Sequence, residues 1–188
     1  MPNWTSNNVT LEGPAEVLQQ IFDVNFDFQK LHPCPFMHDE NYDEGWYDWC
    51  NKHWGTKWSP SEIELDYNVG DTTLTGRFET AWSTPYTLLT YLTTKYPALT
   101  ITNEWQNEGY ESVGITTYAN GEMEGQFIDP SEYTNHALEQ FAETNSWFCY
   151  DDYNEMMSAF EEENEEEEKK DQVEIKLIHY TYEELLEE

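Results

Sequence analysis

Polar and apolar residues alternate at the start of the chain. Trp4, Val9 and Leu11 stand among Thr and Asn, and residues 3–11 predict a strand. Gly13-Pro14 then turns the backbone. Pro14 suits the first helical position, and Val17, Leu18, Ile21 and Phe22 give the spacing of a one-sided helix. Residues 24–60 break the pattern: Phe26, Phe28, Phe36, Trp46, Tyr47, Trp49, Trp54 and Trp58 come with Pro33, Pro35 and Gly45, which predicts a long irregular aromatic insertion. Acid alternates with Ile63 and Leu65 from Glu62 to Tyr67. Alternation resumes from Thr72 to Thr80 through Leu74, Gly76 and Phe78, so two antiparallel strands fit, either both in the main sheet or only the second.

Ser83 to Lys95 is the clearest helix, with Ser83 or Thr84 as cap, Pro85 in the first turn, and Leu88, Leu89 and Leu92 on one face. Leu99–Trp105, Ser112–Tyr118 and Glu122–Ile128 alternate as strands, the last two joined by the hairpin signal Ala119-Asn120-Gly121. Beyond Pro130 the spacing of Tyr133, Ala137, Leu138 and Phe141 is helical. Met156, Met157 and Phe160 predict a further helix running into Glu161–Glu168. Val173, Ile175 and Leu177 alternate as a last strand. These elements divide into residues 1–129, an α+β domain carrying the 24–60 insertion, and residues 130–188, an acidic and mainly helical extension.

Charge changes the picture. The 188 residues hold 39 Asp and Glu against 8 Lys and Arg, a net charge of −31. The excess is not confined to a tail, since residues 1–160 alone carry 26 acids and 5 bases. Such a chain repels nucleic acid and anionic membranes and draws in cationic surfaces. Its 16% aromatic content, with eight Trp, argues for a packed core and against both disorder and adaptation to high salt. Cys34, Cys50 and Cys149 cannot all pair. Met1-Pro2-Asn3-Trp4 lacks a charged-then-apolar leader, and no apolar run approaches a membrane span, so the cytoplasm of a host cell is the expected compartment.

Particular residues carry a resemblance. Met1-Pro2-Asn3-Trp4 with Asn7, Gly13-Pro14, Trp54-Gly55-Thr56-Lys57-Trp58, Phe78-Glu79-Thr80-Ala81-Trp82-Ser83 with Pro85, and Tyr96-Pro97 form an ordered series, followed by Glu108-Gly109 and Gly114. The series resembles the YubB-like family of phage, plasmid and genomic-island proteins over about residues 1–128. The resemblance implies a ferredoxin-like split βαβ fold on an antiparallel sheet, and a mobile genetic element as source. It implies no activity, cofactor or catalytic residue.

Three groups of residues are candidates for function. Carboxylates on a rigid surface can imitate duplex DNA, which carries about one negative charge per 1.7 Å of axis. The acids best placed by sequence are Asp151, Asp152, Glu155, Glu161, Glu162, Glu163, Glu165, Glu166, Glu167 and Glu168, with a second patch of Asp39, Glu40, Asp43, Glu44 and Asp48. The plain alternative is a solvated helix face and a soluble tail. The Trp54–Trp58 block could stack a ligand with Lys57 as a cationic handle, or could pack its loop onto the sheet with Lys57 lying along an indole. Cys34, His38, Cys50 and His53 are spaced C-x3-H-x11-C-x2-H, loosely enough that a structural zinc competes with two core cysteines and two surface histidines.

Phosphate loops, G-x-S-x-G and H-E-x-x-H are absent, and no carboxylate pair stands out as acid and base. Eight bases cannot provide a face for direct nucleic-acid binding. The expected function is therefore non-enzymatic and needs no cofactor. It is that of an anti-defence protein of a phage or mobile element, an acidic DNA mimic that occludes the basic nucleic-acid site of a host enzyme such as a restriction or CRISPR nuclease. The alternative is a binding or regulatory module that recognises a protein or small ligand through its aromatic loop.

Overall fold

The alternation at the start of the chain is a strand because every second side chain enters the core. The computed structural model describes residues 3–38, 41–158 and 169–187. In it β1 (Trp4–Glu12) turns Thr5, Asn7, Val9 and Leu11 inward. Helix α1 (Ala15–Asp23) follows, with Pro14 at its N-cap and Leu18 and Ile21 buried.

The stretch expected to be irregular is partly helical. Asp27 caps α2 (Phe28–Leu31) by accepting from the Gln29 amide at 2.9 Å. The two-residue strands β2 (Met37–His38) and β3 (Asn41–Tyr42) pair as a small hairpin. Helix α3 (Trp46–Trp54) is bounded by Gly45 and Gly55, both left-handed. Cys50 and Trp54, four residues apart, give it a buried face. Phe26, Phe28 and Trp54 are fully buried, and Phe26 lies 5.0 Å from Phe78 of the sheet. The insertion thus completes the main core.

Strands β4 (Ser61–Asp66) and β5 (Thr73–Ala81) both join the main sheet, with β4 at its edge. Helix α4 (Tyr86–Lys95) buries Leu88, Leu89 and Leu92, but neither Ser83 nor Thr84 caps it. Tertiary bonds take both hydroxyls instead: Ser83 Oγ donates to the Gly55 carbonyl and Thr84 Oγ1 to Asn7 Oδ1. Then come β6 (Thr100–Asn107), β7 (Val113–Ala119) and β8 (Glu122–Ile128). Asn120 and Gly121 both have positive φ, as a tight hairpin with matched twist requires. Helices α5 (Asn135–Ala142) and α6 (Tyr150–Ser158) lead to β9 (Lys176–Thr181) and α7 (Tyr182–Leu185).

The sheet order is β4-β5-β1-β6-β7-β8-β9, antiparallel throughout. Its first four strands, with α1 and α4 in the two crossovers, form the split βαβ of a ferredoxin-like α+β fold. β9 corrects one expectation. The alternation of Val173, Ile175 and Leu177 placed the last strand too early: it spans Lys176–Thr181, with Leu177 79% exposed while Ile178 and Tyr180 pack on the core. Register with β8 sets this phase, because Gly125 lies opposite Ile178 and Met123 opposite Tyr180. α5 and α6 enclose a second, smaller core around Val113, Ile128 and Tyr133. Among the described residues no helix is long and apolar enough to cross a membrane.

Candidate functional site

One face of the sheet lies under α1 and α4; the other is covered by α5 and α6 where Val113 and Ile128 meet them and open over the remainder, where strand register fixes what it shows. Across one row stand Asp66, Thr75, Thr10, Thr102, Thr117, Glu124 and His179, and across the next Glu64, Arg77, Asn8, Glu104, Ile115, Gln126 and Leu177. Glu12, Glu79 and Glu122 share this face. Seven carboxylates therefore sit on one rigid lattice whose strands are about 4.8 Å apart and whose same-face residues repeat at about 6.8 Å along a strand. Arg77 and His179 are the basic side chains among them, and His179 Nε2 lies 3.8 Å from Glu124 and 3.9 Å from Glu122. A shallow cleft of about 420 Å³ crosses the face between Glu64, Asp66, Arg77 and Glu104. Sequence reasoning did not single out these acids, although the alternation of Glu62, Glu64 and Asp66 with apolar residues was the signal for part of the set.

The acids named from sequence lie elsewhere. Asp151 and Asp152 are exposed in the first turn of α6, where the helix N-terminus favours negative charge, and Glu155 is exposed one turn on. Asp43, Glu44 and Asp48 are exposed around the start of α3. Glu161, Glu162, Glu163, Glu165, Glu166, Glu167 and Glu168, like Asp39 and Glu40, lie outside the described residues. Several of the scarce cations serve the fold itself. Lys170 and Lys176 bracket Glu132 at 3.0 and 2.9 Å, tying the segment before β9 to the turn after β8. Hydrogen bonds from these two lysines hold the Glu132 carboxyl below the usual carboxylate range.

The Trp54–Trp58 block divides. Trp54 is fully buried and its indole donates to the His32 carbonyl at 2.8 Å, so it is a core residue and no ligand platform. Lys57 and Trp58 belong to a surface cluster with two rings distant in sequence. Lys57 Nζ lies 4.6 Å from the centre of the Trp58 ring, 5.0 Å from Trp82 and 5.8 Å from Tyr47, all within cation–π range. Tyr47 and Trp82 meet edge to face at 6.1 Å, and Trp4 flanks Trp58 at 6.4 Å. The loop is clamped to the end of β5 by Thr56 Oγ1, which donates to the Ala81 carbonyl at 2.8 Å, and by the Ser83–Gly55 bond.

Behind this corner lies a buried polar network. The Asn7 amide donates to the Thr5 carbonyl and to Thr80 Oγ1, each at 2.9 Å, and its oxygen accepts from Thr84 Oγ1 at 2.6 Å. The Asn103 amide lies 3.0 Å from Asn7 Oδ1 and 2.6 Å from Thr84 Oγ1. Residues scattered through the motifs Asn-Trp-Thr-Ser-Asn, Trp-Gly-Thr-Lys-Trp and Thr-Ala-Trp-Ser-Thr thus converge on one end of the sheet.

The four zinc candidates do not converge. Cys34 and Cys50 are buried as neighbours, and burial, then the Cys34 thiol beside it, pushes the Cys50 thiol far up. His38 sits on the hairpin 3.5 Å from Asp43, while His53 stacks on Trp49 at 4.3 Å. Burial lowers the pKa of His53 and takes that of His32 down to about 4. Among the described residues no three His, Cys, Asp or Glu side chains are grouped to hold a metal ion.

Residues 53–179 match the model of a protein family described as the ferredoxin-like domain in Api92-like protein. The matched span runs from the end of α3 into β9. No curated protein and no solved structure matches the chain.

Proposed function

Since the chain belongs to the family of ferredoxin-like domains in Api92-like proteins, we propose that it turns this fold into a rigid carrier of negative charge. In this reading it is an acidic mimic of DNA that occludes the basic nucleic-acid site of a host defence enzyme, without chemistry of its own. Its source is then a phage or other mobile element, as the resemblance to YubB-like proteins implies, and it acts in the host cytoplasm. The observation that carries the proposal is the open sheet face, where Glu12, Glu64, Asp66, Glu79, Glu104, Glu122 and Glu124 stand in fixed register. A lattice of this kind meets a cationic groove without first ordering its charges, and its field raises the rate of encounter.

Charge substitutions test the proposal better than truncation, because removing residues beyond Asp129 would strip β9 from β8 and α7 from α4. Cleavage of DNA by purified restriction and CRISPR nucleases should be inhibited in competition with DNA. Inhibition should weaken steeply with sodium chloride, since exposed pairs are screened within about 8–10 Å. The triple change Glu64→Lys, Glu104→Lys and Glu124→Lys should weaken it by roughly tenfold or more, as like charges now face the groove. Inhibition indifferent to salt and to these changes would overturn the proposal.

A further inference from the structure

We propose that the rings of Tyr47, Trp58 and Trp82 form a cage that anchors an arginine of a cationic protein partner, and that Lys57 fills the cage only until the partner arrives. The nature of the partner rests on the reading of the molecule as an acidic decoy. The cage rests on its own geometry.

Three rings converge on one ammonium, at 4.6, 5.0 and 5.8 Å. Two of them, Tyr47 and Trp82, are more than 40% exposed, so the cage opens to solvent. Trp82 has φ +71°, a conformation that bulky residues rarely adopt. It is held there by its own N–H, which donates to the Asn3 carbonyl at 2.8 Å, and by the Thr56–Ala81 and Ser83–Gly55 bonds on either side. Strain kept at an exposed indole, where glycine would relieve it, fits a ring needed in one orientation.

Charge selects the occupant. Asp43 and Glu44 immediately precede α3, and Asp48 lies in its first turn beside Tyr47, all exposed. An anionic ligand would meet this field as well as the charge of the whole chain, whereas a cation is drawn in. A guanidinium suits the site better than an ammonium, because it is planar, weakly hydrated, stacks on aromatic faces and forks onto carboxylates. Lys57 is a strongly hydrated point charge on a flexible stem, and its grip on the rings is the weaker of the two.

Labelled nona-arginine and nona-lysine peptides, titrated by fluorescence anisotropy against the full chain, test this. At about 0.15 M sodium chloride both peptides should bind through the field; at about 0.5 M, with exposed charges screened, nona-arginine should keep an advantage of about tenfold. Tyr47→Ala, on an exposed helical turn, and Trp82→Gly, at a backbone angle natural to glycine, should each remove most of that advantage. Thermal melts confirm that both variants fold. Lys57→Ala should act in the opposite sense and tighten nona-arginine binding severalfold, because it empties the cage and removes a like charge. Equal affinity for the two peptides at the higher salt, or weaker arginine binding by Lys57→Ala, overturns the cage. Failure of both peptides to bind at the lower salt sinks the acidic-decoy reading and the cage with it.

Discussion

Replacing Asn7 by leucine keeps a branched side chain of similar size and removes every polar atom, so the cost falls on the hydrogen bonds around it. Asn7 is fully buried, as is Asn103, and Thr84 is 1% exposed. Thr80 would keep a partner, because its hydroxyl also donates to the Ser83 carbonyl at 2.8 Å. The Thr84 hydroxyl would lose the oxygen it donates to, whereas the Asn103 amide would keep that hydroxyl 2.6 Å away. A buried group left without a partner costs about 1–3 kcal/mol, so the change should destabilise the protein by about that much. For a chain of this length each kcal/mol moves the melting temperature by about 2–4 °C, which gives a fall of about 2–12 °C in thermal unfolding followed by circular dichroism. A double-mutant cycle with Thr84→Val isolates the pair and should return a coupling of about 0.5–3 kcal/mol. A fall under about 2 °C, or strictly additive effects, would refute the view that these groups form one closed network.

Raising sodium chloride from about 0.05 to about 0.5 M should raise the melting temperature of the free protein, because screening relieves the self-repulsion of its surplus carboxylates; a flat or falling curve contradicts this. Gly114→Ala should cost about 1–3 kcal/mol in urea unfolding, and an unmoved midpoint would show that the site can relax. Its added carbon would meet Gln126 O at 2.6 Å, Trp105 Cζ2 at 2.7 Å and Phe127 Cβ at 2.8 Å. His32, stacked on Tyr91 at 3.9 Å, titrates at about 4 in the folded protein against 6.5 ordinarily, chiefly through burial and then through His53 and Lys95. Its contribution to stability is therefore present above pH 6.5 and lost as pH falls towards 4, so His32→Gln should flatten the melting curve against pH in that window. An unchanged slope would count against a neutral buried imidazole.

Alternation exposed most of the sheet, because β1, β5, β6, β7 and β8 each bury one face. Helix α4 was equally plain from Leu88, Leu89 and Leu92. Helix α3 was missed because Pro33, Pro35 and Gly45 made the whole aromatic stretch read as irregular, although Cys50 and Trp54, four residues apart, carry a helical period. The caps expected from Ser83 and Thr84 failed because partners distant in sequence, Gly55 and Asn7, took their hydroxyls. β9 lies further along than Val173, Ile175 and Leu177 suggested, because a strand with apolar residues on both parities takes its register from its neighbour. The surface features divide in the same way. Lys57 and Trp58 adjoin in sequence and were visible, whereas Tyr47 and Trp82 reach them only through the fold. The open-face acids come from five strands, and only pairing reveals that Glu64 and Glu104 share a row.

A chain with this much repulsion needs its attractive contacts where charge cannot weaken them. The rings of Phe26, Phe28, Trp54 and Phe78 lie in the core, the Asn7 network is sealed beneath α4, and Lys170 and Lys176 neutralise one carboxylate at a chain crossing. The open face sets only Arg77 and His179 against seven carboxylates, so most of its repulsion remains in the free protein, to be relieved by counterions or by a cationic surface. A partner that binds this face in the folded state alone must stabilise the protein by mass action. Salt should then act with opposite signs on the two species, stabilising the free protein and weakening the complex. Inert acidity would give the first effect without the second, and a purely aromatic contact would give a complex that salt barely moves.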